Sequence, residues 1–135
     1  MGSAIGYLVA TKTDANVTLC DIHPNAIDKA KGAVEKYGKS SLERGFITQE
    51  KLDEARKRIH FSENYKDAEQ ADLVIEAIAE DVKIKHDLFR HLDQTCQPNA
   101  VFASNTSSLS ITSLASATKR SKNFIGMHFF SPAHV

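Results

Sequence analysis

Residues 71–95 read "ADLVIEAIAEDVKIKHDLFRHLDQT", and the reading of this stretch decides the fold. The run "ADLVIEAI" (71–78) shows little of the polar alternation of a half-exposed strand. It therefore predicts a strand covered on both faces, as in a parallel sheet. The following "KIKHDLFRHLDQT" places Lys85, Leu88, Phe89 and Leu92 along one helical face. A buried strand that hands over to an amphipathic helix is the front half of a strand–helix–strand unit. Working outward, "AVFASN" (100–105) and "NFIGMHFF" (123–130) read as two further strands, and "SLSITSLASATK" between them as a short capped helix starting near Ser110. On the other side "IHFS" (59–62) is a short strand and "DAEQ" a turn of helix, while "VTLCD" (17–21) is a strand that feeds the helical pattern "NAIDKAKGAVEKYGKSSLERG". After Gly45, "ITQEKLDEARKRI" carries only Ile47, Leu52, Ala55 and Ile59 as an apolar stripe on a highly charged helix. This helical pair is expected to project into solvent. Strands alternating with helices argue for an α/β layer fold, a doubly wound parallel sheet with right-handed crossovers.

With 135 residues the chain has room for one domain with its own core. The balance of 17 basic and 17 acidic residues provides no net field, so no nucleic-acid partner is expected. No apolar run approaches the ~20 residues that span a bilayer, so no membrane span is expected. Cys20 and Cys96 lie far apart without a C-x-x-C pattern, and the N-terminus lacks the order of a secretory signal. These features suit an intracellular protein, cytoplasmic or organellar. His23, His60, His86, His91 and His134 show no metal-ligand spacing, and no metal is expected.

The opening "MGSAIGYLVATKTDANVTLCD" (1–21) presents a glycine, a helix, a strand and an acid. A dinucleotide-binding unit has a strand running into G-x-G-x-x-G, a helix whose N-terminus holds the pyrophosphate, and an acid about 20 residues on for the ribose. Counting back from Asp21, Gly2 falls at the third glycine of that pattern, and Ala4 and Gly6 are small enough to let the helix lie close against a sheet. The expected fold is thus a Rossmann-like sheet without its first strand and first two fingerprint glycines, the gap lying between the strands at 17–21 and 71–77.

"ADLVIEAIAEDVKIKHDLF", "VFASNTSSLSIT" and "IGMHFFSPAHV", in that order, resemble the 3-hydroxyacyl-CoA dehydrogenase family of fatty-acid β-oxidation, over essentially the whole chain. The ending "HFFSPAHV" is most similar to the dehydrogenase part of the multifunctional β-oxidation enzymes, peroxisomal ones included. Short monofunctional members usually have Asn where Ser131 stands. The resemblance implies that residues 1–135 are an NAD-binding domain fragment that lacks its first strand and a later all-helical domain. It implies NAD as cofactor, an acyl-CoA as substrate, and a peroxisomal or cytoplasmic location. A sheet with an absent central strand is expected to bind NAD poorly, not to turn over, and to close up or borrow a strand in a homo-oligomer.

Each candidate residue has an ordinary reading beside the one the resemblance implies. Asp21 ends a strand, where it serves either as a turn aspartate or as the acceptor for the adenosine ribose, favouring NAD over NADP. Glu80 and Lys85 follow the 71–78 strand and read locally as an exposed acid and a basic helix residue. By resemblance they match a pair at the nicotinamide end of the cofactor. In "SNTSSL" (105–109 with Ser104) the hydroxyls suit helix capping; the family pattern puts Asn105 near the cofactor and Ser107 within reach of the substrate 3-hydroxyl. A lone histidine in "GMHFF" is ordinarily a core residue, yet oxidising a secondary alcohol needs a base for the hydroxyl proton, and by resemblance His128 is that base. Its orienting glutamate in the family would fall past Val135. Ser131 is the remaining catalytic candidate. Two rival functions are a non-catalytic relative that keeps the nucleotide fold and a dehydrogenase of small 3-hydroxy acids; Ser107 with His128 weighs against the first, and the "HFF-x-P" stretch against the second.

Overall fold

A computed structural model describes residues 1–134, in which every strand pair is parallel. The chain divides into two compact units, one formed by Met1–Asn64 with the residues from Phe130 on, the other by Tyr65–Phe129.

In the first unit, α1 (Gly2–Lys12) leads to β1 (Val17–Cys20), α2 (Pro24–Glu43), α3 (Gln49–Arg58) and β2 (Ile59–Ser62). β1 and β2 pair in register Val17↔Ile59 to Cys20↔Ser62. Pro24, with its fixed φ and missing N–H, starts α2 at a position where neither is a loss. The helix ends because Gly45 adopts φ +70, a left-handed conformation that glycine enters without steric cost. The amides of Gly45 and Phe46 then turn back to the carbonyls of Leu42 (3.0 Å) and Ser41 (2.8 Å), a Schellman closure. Thr48 caps α3 by accepting from the Lys51 amide at 3.3 Å. The helical pair does not simply project into solvent, as its charge suggested. Leu52 and Ala55 of α3 are buried with Tyr7 and Ala10 of α1, Val34 of α2 and Ile59. Two apolar residues one turn apart suffice because Gly38 lets α2 approach: a methyl group there would meet Leu52 at 3.0 Å. Gly6 does the same for α1 against β1, with Leu19 at 2.7 Å from the Cβ it lacks.

In the second unit a 3-10 turn (Tyr65–Ala68) precedes β3 (Leu73–Glu76), α4 (Val82–Thr95), β4 (Val101–Ser104), α5 (Ile111–Ala115), a 3-10 turn (Ser121–Asn123) and β5 (Phe124–Gly126). The sheet order is β3-β4-β5. Asp81 caps α4 through the Ile84 amide at 3.0 Å, and Ser110 caps α5 through the Ser113 amide at 3.2 Å. Phe89, Phe102 and Phe124 form the centre of the core, with ring centroids 4.6 to 6.4 Å apart.

Every strand but β2 is shorter than the sequence suggested, β3 and β5 by the most. β3 stops at Glu76 because the Glu76 carboxylate itself accepts the Ile78 amide at 2.8 Å. β5 ends at Gly126 rather than continuing to residue 130. After the Met127 amide reaches the Ser104 carbonyl at 2.9 Å, β4 has run out, and the Phe129 amide bonds instead to the Asn105 side chain at 2.6 Å. β1 and β3, expected to lack a strand between them, belong to different sheets and do not pair.

Candidate functional site

In the first unit two features have chemistry that suits a ligand of the kind expected. Gly2 opens α1 after Met1, whose carbonyl accepts the Ala4 and Ile5 amides at 3.0 and 3.1 Å. The amides of Gly2 and Ser3 precede any intrahelical acceptor, so the helix presents donors and a positive dipole end, chemistry suited to a pyrophosphate. Asp21 directly follows β1: its amide donates to Ser62 O at 3.1 Å, and its Oδ1 accepts from the His23 amide at 2.9 Å. The turn role is therefore real, and it engages only one carboxylate oxygen in that bond. The second oxygen provides the acceptor that a ribose diol requires. Helix-end donors and a strand-end carboxylate make a donor set that fits the phosphate and ribose of NAD. Ser131 also belongs to this unit and is exposed.

The second unit gathers the other candidates at the C-terminal ends of β3, β4 and β5. Lys85, on the same face of α4 as buried Phe89 and Leu92, reaches back to the end of β3. Its Nζ lies 2.9 and 3.1 Å from the two carboxylate oxygens of Glu76 and 3.1 Å from Glu80 Oε2. The side chains of Lys85 and Glu76 are 1% and 0% exposed. Ser104, at the end of β4, donates to Glu76 Oε2 at 2.5 Å. Glu80 is 39% exposed and also accepts from the Thr106 hydroxyl. That hydroxyl, followed by the Lys85 ammonium and the Ser108 backbone, holds the Glu80 carboxyl down to about 2 against burial. Thr106 Oγ1 accepts in turn from the Leu109 amide at 3.0 Å, so one hydroxyl both caps the turn and fixes the acid.

Asn105 organises the remaining edge. Its amide donates to Glu76 O at 2.9 Å, its Oδ1 accepts the Phe129 amide, and its carbonyl lies 3.4 Å from His128 Nδ1. His128 thus stands just past the end of β5 and is exposed, not a core residue. Ser107 is exposed in the 105–109 turn. Sequence reasoning placed Lys85, Glu80, Asn105 and His128 at this edge and missed Glu76, Ser104 and Thr106. The available signal was the acid inside "LVIEAI", which cannot be buried without a partner.

The two units carry the parts of a dinucleotide-binding α/β protein: parallel strands, a glycine-containing helix start and an acid closing the next strand. The whole of residues 1–135 matches the family model of the 3-hydroxyacyl-CoA dehydrogenase NAD-binding domain, and the chain belongs to that family. It is 39% identical over 137 residues to the probable 3-hydroxybutyryl-CoA dehydrogenase of Bacillus subtilis, covering 100% of this chain and 47% of the relative. It is 38% identical over 134 residues to the fatty acid oxidation complex subunit alpha of a Psychrobacter species, covering 99% of this chain and 18% of that relative. The similarity to the larger oxidation complex and to the shorter dehydrogenase is therefore comparable. Among solved structures, the (S)-3-hydroxybutyryl-CoA dehydrogenase of Ralstonia eutropha superposes with a TM-score of 0.92 at 36% identity, over 98% of this chain and 47% of that one. The chain spans less than half the length of these relatives. Among the described residues no helix is long and apolar enough to cross a membrane.

Proposed function

We propose that residues 1–135 form the NAD-binding domain of a (3S)-3-hydroxyacyl-CoA dehydrogenase acting inside the cell, whose enzyme oxidises C3 of a 3-hydroxyacyl-CoA to the ketone. The observation that carries this reading is His128 beyond the end of β5, with Nδ1 facing the Asn105 carbonyl. A neutral ring that donates Nδ1–H there has its lone pair on Nε2, the form needed to accept the proton of the substrate hydroxyl. Ser107, exposed in the adjacent turn, hydrogen-bonds the same 3-hydroxyl and aims its proton at His128. Ser131 is a further substrate contact. Gly2 and Asp21 hold the pyrophosphate and adenosine ribose, and Glu80, Lys85 and Asn105 belong to the nicotinamide end. NAD, when bound, would supply the hydride acceptor; the alcohol, giving up its C3 hydride there and its hydroxyl proton to His128, would become 3-ketoacyl-CoA.

The test uses a chimera in which residues 1–135 replace the matching segment of the Bacillus subtilis relative. Calorimetric titration with NADH is expected to give micromolar binding by the chimera. Asp21→Ala should weaken the chimera about tenfold, one charge-assisted hydrogen bond, and Lys57→Ala less than twofold. Equal effects of the two substitutions would remove Asp21 from the ribose site. Turnover of 3-hydroxyacyl-CoA but not of free 3-hydroxy acids decides the substrate class, and loss of turnover with intact NADH binding in His128→Gln identifies the base. A chimera that binds NADH and turns over neither substrate would favour the non-catalytic relative.

A further inference from the structure

The buried acid at the end of β3 has no part in the reaction described above, yet Lys85 and Asn105 bond to it directly and Glu80 is held to it through Lys85. Three carboxylate oxygens, two from Glu76 and one from Glu80, lie within 3.1 Å of the Lys85 ammonium. An ammonium has three N–H donors, and this one is 1% exposed. It has no donor left for a ligand and no path to one. Glu80, at 39% exposure, is the member of the trio that a ligand can reach.

We propose that Glu76 is a positioning residue for the nicotinamide end of the cofactor site, and that Lys85 serves that end only through Glu80. The buried Glu76 carboxylate neutralises Lys85 and fixes where its ammonium sits. Lys85 then holds Glu80 Oε2 from one side while the Thr106 hydroxyl holds Oε1 from the other. Glu76 also takes the Ser104 hydroxyl, whose oxygen accepts the Thr106 amide at 3.3 Å, and its backbone carbonyl takes the Asn105 amide. One buried carboxylate thereby sets both ends of the clamp on Glu80 and the start of the turn that carries Asn105 and Ser107. The net charge of the trio is one negative unit, and it resides at the accessible end, as an acceptor for the amide hydrogens of a carboxamide. This inference rests on the NAD-binding reading above.

The test compares NADH with ADP-ribose, which lacks the nicotinamide ring, as ligands of the same chimera. Glu76→Gln keeps the shape, removes the charge, and leaves Lys85 with Glu80 as its one carboxylate partner, so the clamp reorganises. NADH affinity is expected to fall about tenfold, the size of one charge-assisted hydrogen bond, with ADP-ribose affinity changed less than twofold. A purely structural role would weaken both ligands alike. An equal loss for both, or no change in either, overturns the proposal. Should Glu76→Gln fail to fold, Ser104→Ala removes a donor to Glu76 without touching its charge. It should shift the NADH to ADP-ribose ratio in the same direction by about threefold, and an unchanged ratio overturns the proposal equally. If the chimera with residues 1–135 unaltered binds neither ligand, the NAD-binding reading itself has failed; if it binds both and the variants do not separate them, only the role given to Glu76 has.

Discussion

Replacing Arg120 by methionine keeps an apolar stem and deletes five polar contacts. Nε donates to Asp93 Oδ1 at 2.5 Å, Nη1 to the carbonyls of Gln97 and Ala100 at 2.7 and 3.4 Å, and Nη2 to those of Asp93 and Cys96 at 3.0 and 3.4 Å. The guanidinium carbon also lies 4.4 Å from the Phe102 ring centroid. Arg120 is therefore the cationic cap at the C-terminus of α4, and it ties the turn entering β4 to the segment entering β5. With methionine, Asp93 retains the Lys119 amide at 2.8 Å, but its nearly buried charge loses its counter-ion and the helix-end carbonyls lose their donor. Stranding one member of such a pair costs about 3–5 kcal/mol; the surviving amide and partial solvent contact place Arg120→Met near the lower figure. Against a total stability of roughly 5–15 kcal/mol, this lowers the thermal midpoint by about 10 °C. Arg120→Lys retains the charge but cannot span Asp93 and three backbone segments with three donors, so it should recover only about half of the loss. The control is Arg90→Met, whose pair with Asp87 at 2.8 Å is more than half exposed on both sides and is worth less than about 1 kcal/mol. Urea denaturation of the three variants measures the differences. If Arg120→Met costs no more than Arg90→Met, or if lysine restores full stability, the network does not cap α4 as argued.

Gly6→Ala should destabilise, because the new methyl meets three atoms of Leu19 at 2.7 to 3.3 Å, an overpacking of about 1–3 kcal/mol. Gly32→Ala in the middle of α2 meets nothing within 4 Å and should stabilise by about 0.5–1 kcal/mol; thermal melts giving both changes the same sign would refute the close packing of α1 on β1. Glu80 has its folded pKa depressed from 4.5 to about 2, so its contribution to stability is fully present above the ordinary carboxylate value and is lost as pH falls through that window. Thr106→Val removes the hydroxyl that does most to depress it, so the Glu80 carboxyl should titrate higher by carbon NMR and acid unfolding should begin at higher pH. A Glu80 midpoint unmoved by Thr106→Val would show that the hydroxyl does not hold it.

Local chemistry made most of the elements legible. The strand at 59–62 and the helix at 83–95 follow from short-range pattern, and both are found there, the helix beginning one residue earlier at Val82. The misreadings arise where a distant segment decides. "NFIGMHFF" has strand chemistry through residue 130, but a strand needs a neighbour, and β4 has ended by the time His128 is reached. The charge of α3 suggested a solvated helix, but a Leu–Ala pair facing a glycine on α2 is enough to bury one side.

The same reasoning explains why half of the second unit's site was visible and half was not. The strand pattern brings Asn105 and His128 to the last strands of this unit, and the family resemblance gives them their roles, but the pattern alone runs the last strand past His128, which lies beyond its end at Gly126. Their contact spans 23 residues and depends on where two strands stop. A hydropathy reading averages Glu76 into an apolar strand, and Lys85, locally a basic helix residue and by resemblance the partner of Glu80 at the nicotinamide end, is not connected to Glu76 by either reading. Taken together they are not independent observations: an acid on a covered strand and a base on the buried face of the next helix would each be untenable alone. In a parallel strand–helix unit the end of the strand and the first turn of the helix are neighbours, so two opposite charges at those positions meet. The pairing rule therefore recovers Glu76 from sequence, and it also predicts that Lys85 is occupied before any ligand arrives.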